Sequence, residues 1–245
     1  MKTWLDWQNC LFTFEHHSQV DIWLLPVVQS DHFLQYLTQD ERRRANKFRV
    51  QTARDQYVIA RATLRLLLKK YFRLKNNEIQ FALNPYGKPY LAGHKIFFNV
   101  SHSYQWVLIG LSNRTEIGVD IEKIRPDLNL TQLANRFFSQ KEVELLHQLS
   151  KDQIAEGFFN AWTRKEAYIK ARGMGLAIPL SGFSVELRPG QPARLLETSH
   201  DPQAIKKWFL SDIPAPENYK AAMVANTPDF ELKLWFGRHF LEQQK

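Results

Sequence analysis

The stretch "DQIAEGFFNAWTRKEAYIKARG", residues 152–173, decides how the rest of the chain is read. Its apolar residues recur every three or four positions with charges between them, and no proline interrupts, so the spacing predicts a long helix. A second stretch of the same character lies upstream: "QTARDQYVIARATLRLLLKKYF", residues 51–72. Strand-like segments surround each one. In the first half these are "VDIWLLPV" (20–27), "EIQFAL" (78–83) and the hairpin "FFNVSHSYQWVLIG" (97–110). In the second they are "EIGVDIEKI" (116–124), "FSVEL" (183–187), "KKWFLSDI" (206–213), "YKAAMVAN" (219–226) and "ELKLWFG" (231–237). Two capping-box patterns, "TQDE" at 38–41 and "SQKE" at 139–142, mark further helix starts. The expectation is an α+β fold of pseudo-duplicated halves, residues 1–112 and 113–245. Each half would pack a long helix on a small antiparallel sheet, with the active site in the cleft between them.

Composition narrows the function classes. Lys and Arg number 33 against 25 acidic residues in 245, a net charge of +8, which attracts polyanions, phosphorylated cofactors or an acidic protein. One cysteine, Cys10, excludes an intramolecular disulfide and a thiolate zinc cluster. No apolar run approaches the length of a membrane span, and the N-terminal residues carry no signal-peptide apolar core. A cytoplasmic protein is expected.

In "GVDIEKI", strand alternation sets Asp120 and Glu122 on one face, opposite Val119 and Ile121. Alone, that pair reads as a solvent-facing polar edge. On the predicted helix 152–173, Trp162, Glu166 and Lys170 fall at i, i+4 and i+8 and form one stripe. Alone, that stripe is an amphipathic edge with an ordinary Glu–Lys pair. If Glu166 faces the strand acids, three carboxylates converge, and their repulsion calls for a cation. Three hard oxygen ligands favour magnesium or manganese over zinc, with a phosphate completing the shell. Candidate phosphate contacts are Ser101 and His102 in the hairpin turn, Lys88 in "YGKP", and Arg44 in "ERRRANKFR", with Arg54 and Arg61 weaker. These residues leave two readings open: a magnesium-dependent phosphoryl enzyme such as a nuclease or phosphatase, and a basic nucleic-acid-binding module.

A third reading comes from likeness. "NVSHS" (99–103), "IGVDIEKI" (117–124) and "FFNAWTRKEAYIKARGMGL" (158–176) resemble the three signature motifs of the 4'-phosphopantetheinyl transferases, in the larger, monomeric, surfactin-synthetase-type branch. The resemblance covers roughly residues 38–187. It implies transfer of 4'-phosphopantetheine from coenzyme A to a serine of an apo acyl or peptidyl carrier protein, releasing adenosine 3',5'-bisphosphate. By the same resemblance Asp120, Glu122 and Glu166 hold magnesium, Ser101 and His102 contact coenzyme A phosphates, and Lys88 contacts the nucleotide. Lys170 stands near the reacting phosphate, Arg44 near the 3'-phosphate, and Glu166 or a metal-bound water takes the serine proton. The implied partner is an acidic carrier from fatty-acid, polyketide or nonribosomal peptide assembly, with no nucleic acid and no membrane. Phe137, Phe138 and Met174 are candidate carrier contacts, although core packing suits the two phenylalanines better.

Overall fold

The computed structural model describes residues 3–14, 18–199 and 201–244. In chain order the first elements are β1 (Leu5–Asp6), β2 (Gln19–Pro26), α1 (Gln39–Ala45), α2 (Gln51–Phe72), β3 (Phe81–Leu83) and β4 (Pro89–Leu91). Then come β5 (Phe97–Ser103), β6 (Trp106–Ser112), β7 (Ile117–Lys123), α3 (Leu130–Phe137), α4 (Gln140–His147) and α5 (Ile154–Arg172). The last are β8 (Phe183–Val185), β9 (Leu195–Thr198), α6 (Ala204–Lys207), β10 (Phe209–Ile213), β11 (Tyr219–Ala225), β12 (Glu231–Phe236) and α7 (Arg238–Glu242). The architecture is mixed α+β. Among the described residues no helix is long and apolar enough to cross a membrane.

The chain forms two compact units. The first takes Met1–Ala82, Tyr90–Arg114 and Phe230–Lys245. Its sheet runs β1-β12-β2-β6-β5. β2 is buried from Gln19 to Leu25, which is why it reads as an apolar run rather than an alternating strand. β6 pairs with it antiparallel and β12 parallel, and Trp23 opposes Trp235 with ring centroids 5.9 Å apart. α2 contributes Val58, Ile59, Ala62, Leu64, Leu67 and Leu68 to the core of this unit. α1 starts at the expected capping box: the Glu41 amide donates to Thr38 Oγ1, and the Thr38 amide donates to Glu41 Oε2. Glu41 also accepts two bonds from the buried Arg65 of α2, at 2.8 and 3.1 Å, which ties α1 to the long helix.

The second unit takes Leu83–Pro89 and Thr115–Asp229. Its main sheet is antiparallel, β10-β11-β7, with α5 packed on it. Gly118 permits the close approach of β7 to α5. A Cβ there would lie 2.1 Å from the Ala167 carbonyl oxygen and 2.4 Å from the Ala171 nitrogen. Phe138, Phe158, Tyr168 and Phe183 fill the core. α4 also begins at its expected capping box, Ser139 with Glu142.

Two expectations are corrected. The halves 1–112 and 113–245 would place residues 230–245 in the second, but β12 and α7 complete the first unit, because β12 fills the place between β1 and β2. The first unit's sheet is therefore mixed, not antiparallel, and differs in strand number and direction from the sheet of the second. The likeness between the halves read from element order does not extend to their sheets.

Candidate active site

Residues 158–172 of α5 belong to a helix that is buried over most of its surface. From Gly157 to Ala171 only Trp162, Glu166 and Lys170 escape burial, so the stripe expected from spacing is the one face left open. Trp162 sits among Phe137, Phe138 and Phe158, with the Phe158 ring stacked on it at 5.7 Å. Phe138 is itself buried against Phe158, so it belongs to the core, while Phe137 and Met174 are half-buried.

Asp120 lies on the face of β7 shared with Gly118, the face against α5, and is 2% exposed. It is no solvent-facing edge. Lys170 Nζ donates to Asp120 Oδ1 at 2.6 Å. Burial raises the affinity of the Glu166 carboxylate for its proton, the negative charge of Asp120 adds to the effect, and Lys170 opposes it. Two acids and a lysine thus meet where β7 crosses α5. Glu122 follows on the same strand face, half-buried, opposite Lys220 of β11. Among the described residues no three His, Cys, Asp or Glu side chains gather as metal ligands. The Lys170 ammonium lies against Asp120 as a counter-charge. The donor set of Asp120, Glu122 and Glu166 consists of carboxylate oxygens alone, which suits a hard divalent cation in kind.

The first unit holds Arg44, Arg54, Arg61, Ser101 and His102. Ser101 and His102 are not in the hairpin turn. They belong to β5, whose pairing with β6 continues to Ser103 opposite Trp106 and leaves only Tyr104 and Gln105 to turn the chain. Tyr104 takes the positive φ of 48° that this tight loop needs, and Gln56 Nε2 braces its carbonyl at 2.8 Å. Adjacent strand positions face opposite sides, so Ser101 is buried while His102 is exposed. Arg44 is exposed on α1, with its guanidinium 5.3 Å from the centre of the Tyr57 ring. Arg54 is paired with Asp31 at 2.8 Å, and Arg61 lies over Phe81 at 4.3 Å beside Glu41.

Lys88 belongs to the second unit and is already engaged. Its ammonium donates to Glu116 Oε2 at 2.8 Å, the Ala171 carbonyl at 3.0 Å and the Ile117 carbonyl at 3.3 Å.

Two motif residues escaped the sequence reading. Lys165 and Arg164 precede Glu166, and both are buried on the far side of α5. Lys165 Nζ donates to Glu142 Oε2 at 2.6 Å and to the Phe183 carbonyl at 2.5 Å. Burial pulls Lys165 down to about 8, against the opposing pull of Glu142. Arg164 forms a two-pronged pair with Asp212 at 2.9 and 2.6 Å. The signal was present: a helix with one narrow open stripe must bury its remaining charges.

Comparison with known proteins identifies the family. Residues 116–224 match the family model described as 4'-phosphopantetheinyl transferase superfamily, and residues 23–113 match that of 4'-phosphopantetheinyl transferase, N-terminal. The chain is 34% identical over 226 residues to the 4'-phosphopantetheinyl transferase HetI of Nostoc sp., covering 89% of this chain and 92% of that protein. It is 32% identical over 204 residues to the 4'-phosphopantetheinyl transferase Sfp of Bacillus subtilis, covering 82% and 88%. The chain belongs to the 4'-phosphopantetheinyl transferases, enzymes that place 4'-phosphopantetheine on carrier proteins.

Proposed function

We propose that the donor is coenzyme A, that adenosine 3',5'-bisphosphate leaves, and that the reaction depends on magnesium, or manganese in its place. The observation that carries this reading is the meeting of Asp120, Lys170 and Glu166 on facing surfaces of β7 and α5. Asp120, Glu122 and Glu166 are the residues that would hold the cation. When bound, it would neutralise charge on the diphosphate of the coenzyme.

The chain's own groups do the rest. Lys170 is the one cation on the open stripe of α5, and its ammonium would stabilise negative charge growing on the phosphate oxygens as the bond to the nucleotide breaks. Glu166, or a water beside it, would accept the proton of the carrier serine. The oxygen of that serine attacks the β-phosphorus, and the electron pair of the broken bond leaves with the nucleotide phosphate. Arg44, Ser101 and His102 of the first unit are the proposed contacts to the coenzyme phosphates. The enzyme acts in the cytoplasm as a monomer, on an acidic carrier. The net charge of +8 supports that choice of partner, and the lone, buried Cys10 suits a reducing compartment.

The test is to incubate the protein with magnesium, coenzyme A and a panel of apo carriers, and to weigh the carriers by mass spectrometry. A carrier gaining one phosphopantetheine is the expected product. Asp120→Asn keeps the shape of the side chain while removing its charge, and should lower the turnover by about a hundredfold or more. Carriers that all stay unmodified, or a variant as active as the wild type, would count against the reading.

A further inference from the structure

The segment between Leu83 and Pro89 is a small turn built around one side chain. Asn84 Oδ1 accepts from the amides of Tyr86 at 2.9 Å and Lys88 at 2.8 Å, and the Asn84 amide donates to the Lys88 carbonyl at 2.9 Å. Its Nδ2 then reaches out to the Gly173 carbonyl at 2.6 Å. That carbonyl closes α5, where Gly173 turns left-handed at φ 65°. A Cβ on Gly173 would come within 2.8 Å of Lys88 Cδ, so the glycine also makes room for the lysine stem.

The Lys88 ammonium completes the strap. It has three protons and three oxygen acceptors: the Ala171 carbonyl at the end of α5, the Ile117 carbonyl at the start of β7, and Glu116 Oε2. The last carbonyls of a helix lack partners within the helix, and a cation is favoured there by the helix dipole. Glu116 is 45% exposed, so the two carbonyl bonds fix the geometry more firmly than the ion pair does. Ala171 directly follows Lys170, and Ile117 lies on the strand that carries Asp120. The strap therefore joins the two elements whose side chains meet at the site, alongside the close contact at Gly118.

We propose that Lys88 is a positioning residue, which with Asn84 holds the end of α5 against the start of β7 and so sets where Lys170 and Glu166 stand relative to Asp120. Its ammonium does not grip the nucleotide. This inference rests on the functional reading above and refines one part of it.

The experiment compares Lys88→Met with wild type by titration calorimetry using adenosine 3',5'-bisphosphate, and by steady-state loading of an apo carrier at varied coenzyme A. The expected result is a fall of about tenfold or more in kcat at saturating coenzyme A, while the Kd for the bisphosphate stays within about twofold. The opposite split, with Kd weakened about tenfold and kcat unchanged, overturns the proposal in favour of direct nucleotide contact. A variant unchanged in both overturns it as well. Should Lys88→Met fail to fold, Asn84→Ala removes the Gly173 bond and the turn's acceptor while leaving the lysine, and the same split is expected at smaller size. A wild-type protein that loads no carrier and binds no bisphosphate overturns the functional reading itself, a result distinct from either split.

Discussion

Glu142 meets Lys165 where neither side chain is exposed at all. A buried pair of this kind survives only if both charges find further partners. Glu142 has the Ser139 and Val185 amides at 2.9 and 2.8 Å, and Lys165 has the Phe183 carbonyl. Lys165→Met strands the carboxylate and should cost about 3–5 kcal/mol in urea unfolding. Asp21 presents a different case. Tyr71 Oη donates to Asp21 Oδ2, and Gln19 Nε2 donates to Oδ1 at 2.6 Å, yet burial outweighs these bonds and raises Asp21 to about 6. The folded state thus keeps a proton that the unfolded chain releases near pH 4. Stability from this group is fully present below about pH 4 and is lost as pH rises to about 6, by about 3 kcal/mol. Unfolding midpoints measured across that range should fall for the wild type relative to Asp21→Asn, which has no proton to lose. The burial of Lys165 follows from the single open stripe of its helix, but the identity of its partner does not, and Asp21 reads as a surface residue of a strand until Tyr71 and Gln19 are known to reach it.

At the scale of elements, legibility was high where local rules decide. Both long helices follow apolar periodicity, and two of the short ones, α1 and α4, begin at Thr38 and Ser139, where side chain and backbone exchange bonds, whereas α3, α6 and α7 carry no such exchange. Thr38→Ala should cost about 1 kcal/mol in thermal unfolding. The end of β5 was less legible. The polar island 101–103 looks like a turn because turns are polar, but strand pairing continues through it to a two-residue loop. Likewise Glu166 and Lys170 could be placed on one stripe from spacing alone, whereas the engagement of Asp120 by Lys170 depends on how closely β7 approaches α5. Gly118 sets that distance. Gly118→Ala drives a methyl into the helix backbone and should cost about 3 kcal/mol or more, with turnover falling further than stability alone accounts for. A variant as stable and as active as wild type would show that the helix can back away without disturbing the site.

At the scale of the molecule, charge and topology act where local rules are silent. The net charge of +8 steers acidic partners, and exposed charges are screened by salt. The KM for an acidic carrier should therefore rise several-fold, roughly, between low and physiological ionic strength, while kcat stays level. The C-terminal segment is the largest departure from what spacing alone conveys. "ELKLWFG" announces a strand, but nothing in it tells which strand it joins. Removing residues 230–245 takes Trp235, Phe240 and Leu241 out of the first unit's core and leaves an edge of β2 unpaired. Such a protein should bind a hydrophobic dye and lose cooperative unfolding.

That same strand orders events during synthesis. β2 emerges from the ribosome early, and its parallel neighbour β12 emerges after every strand of the other unit has been made. A nascent chain must carry β2 with one side bare throughout, open to pairing with a second nascent chain. Slow translation over the middle of the message would lengthen that exposure, and a chaperone that shields strand edges would have the most to offer there.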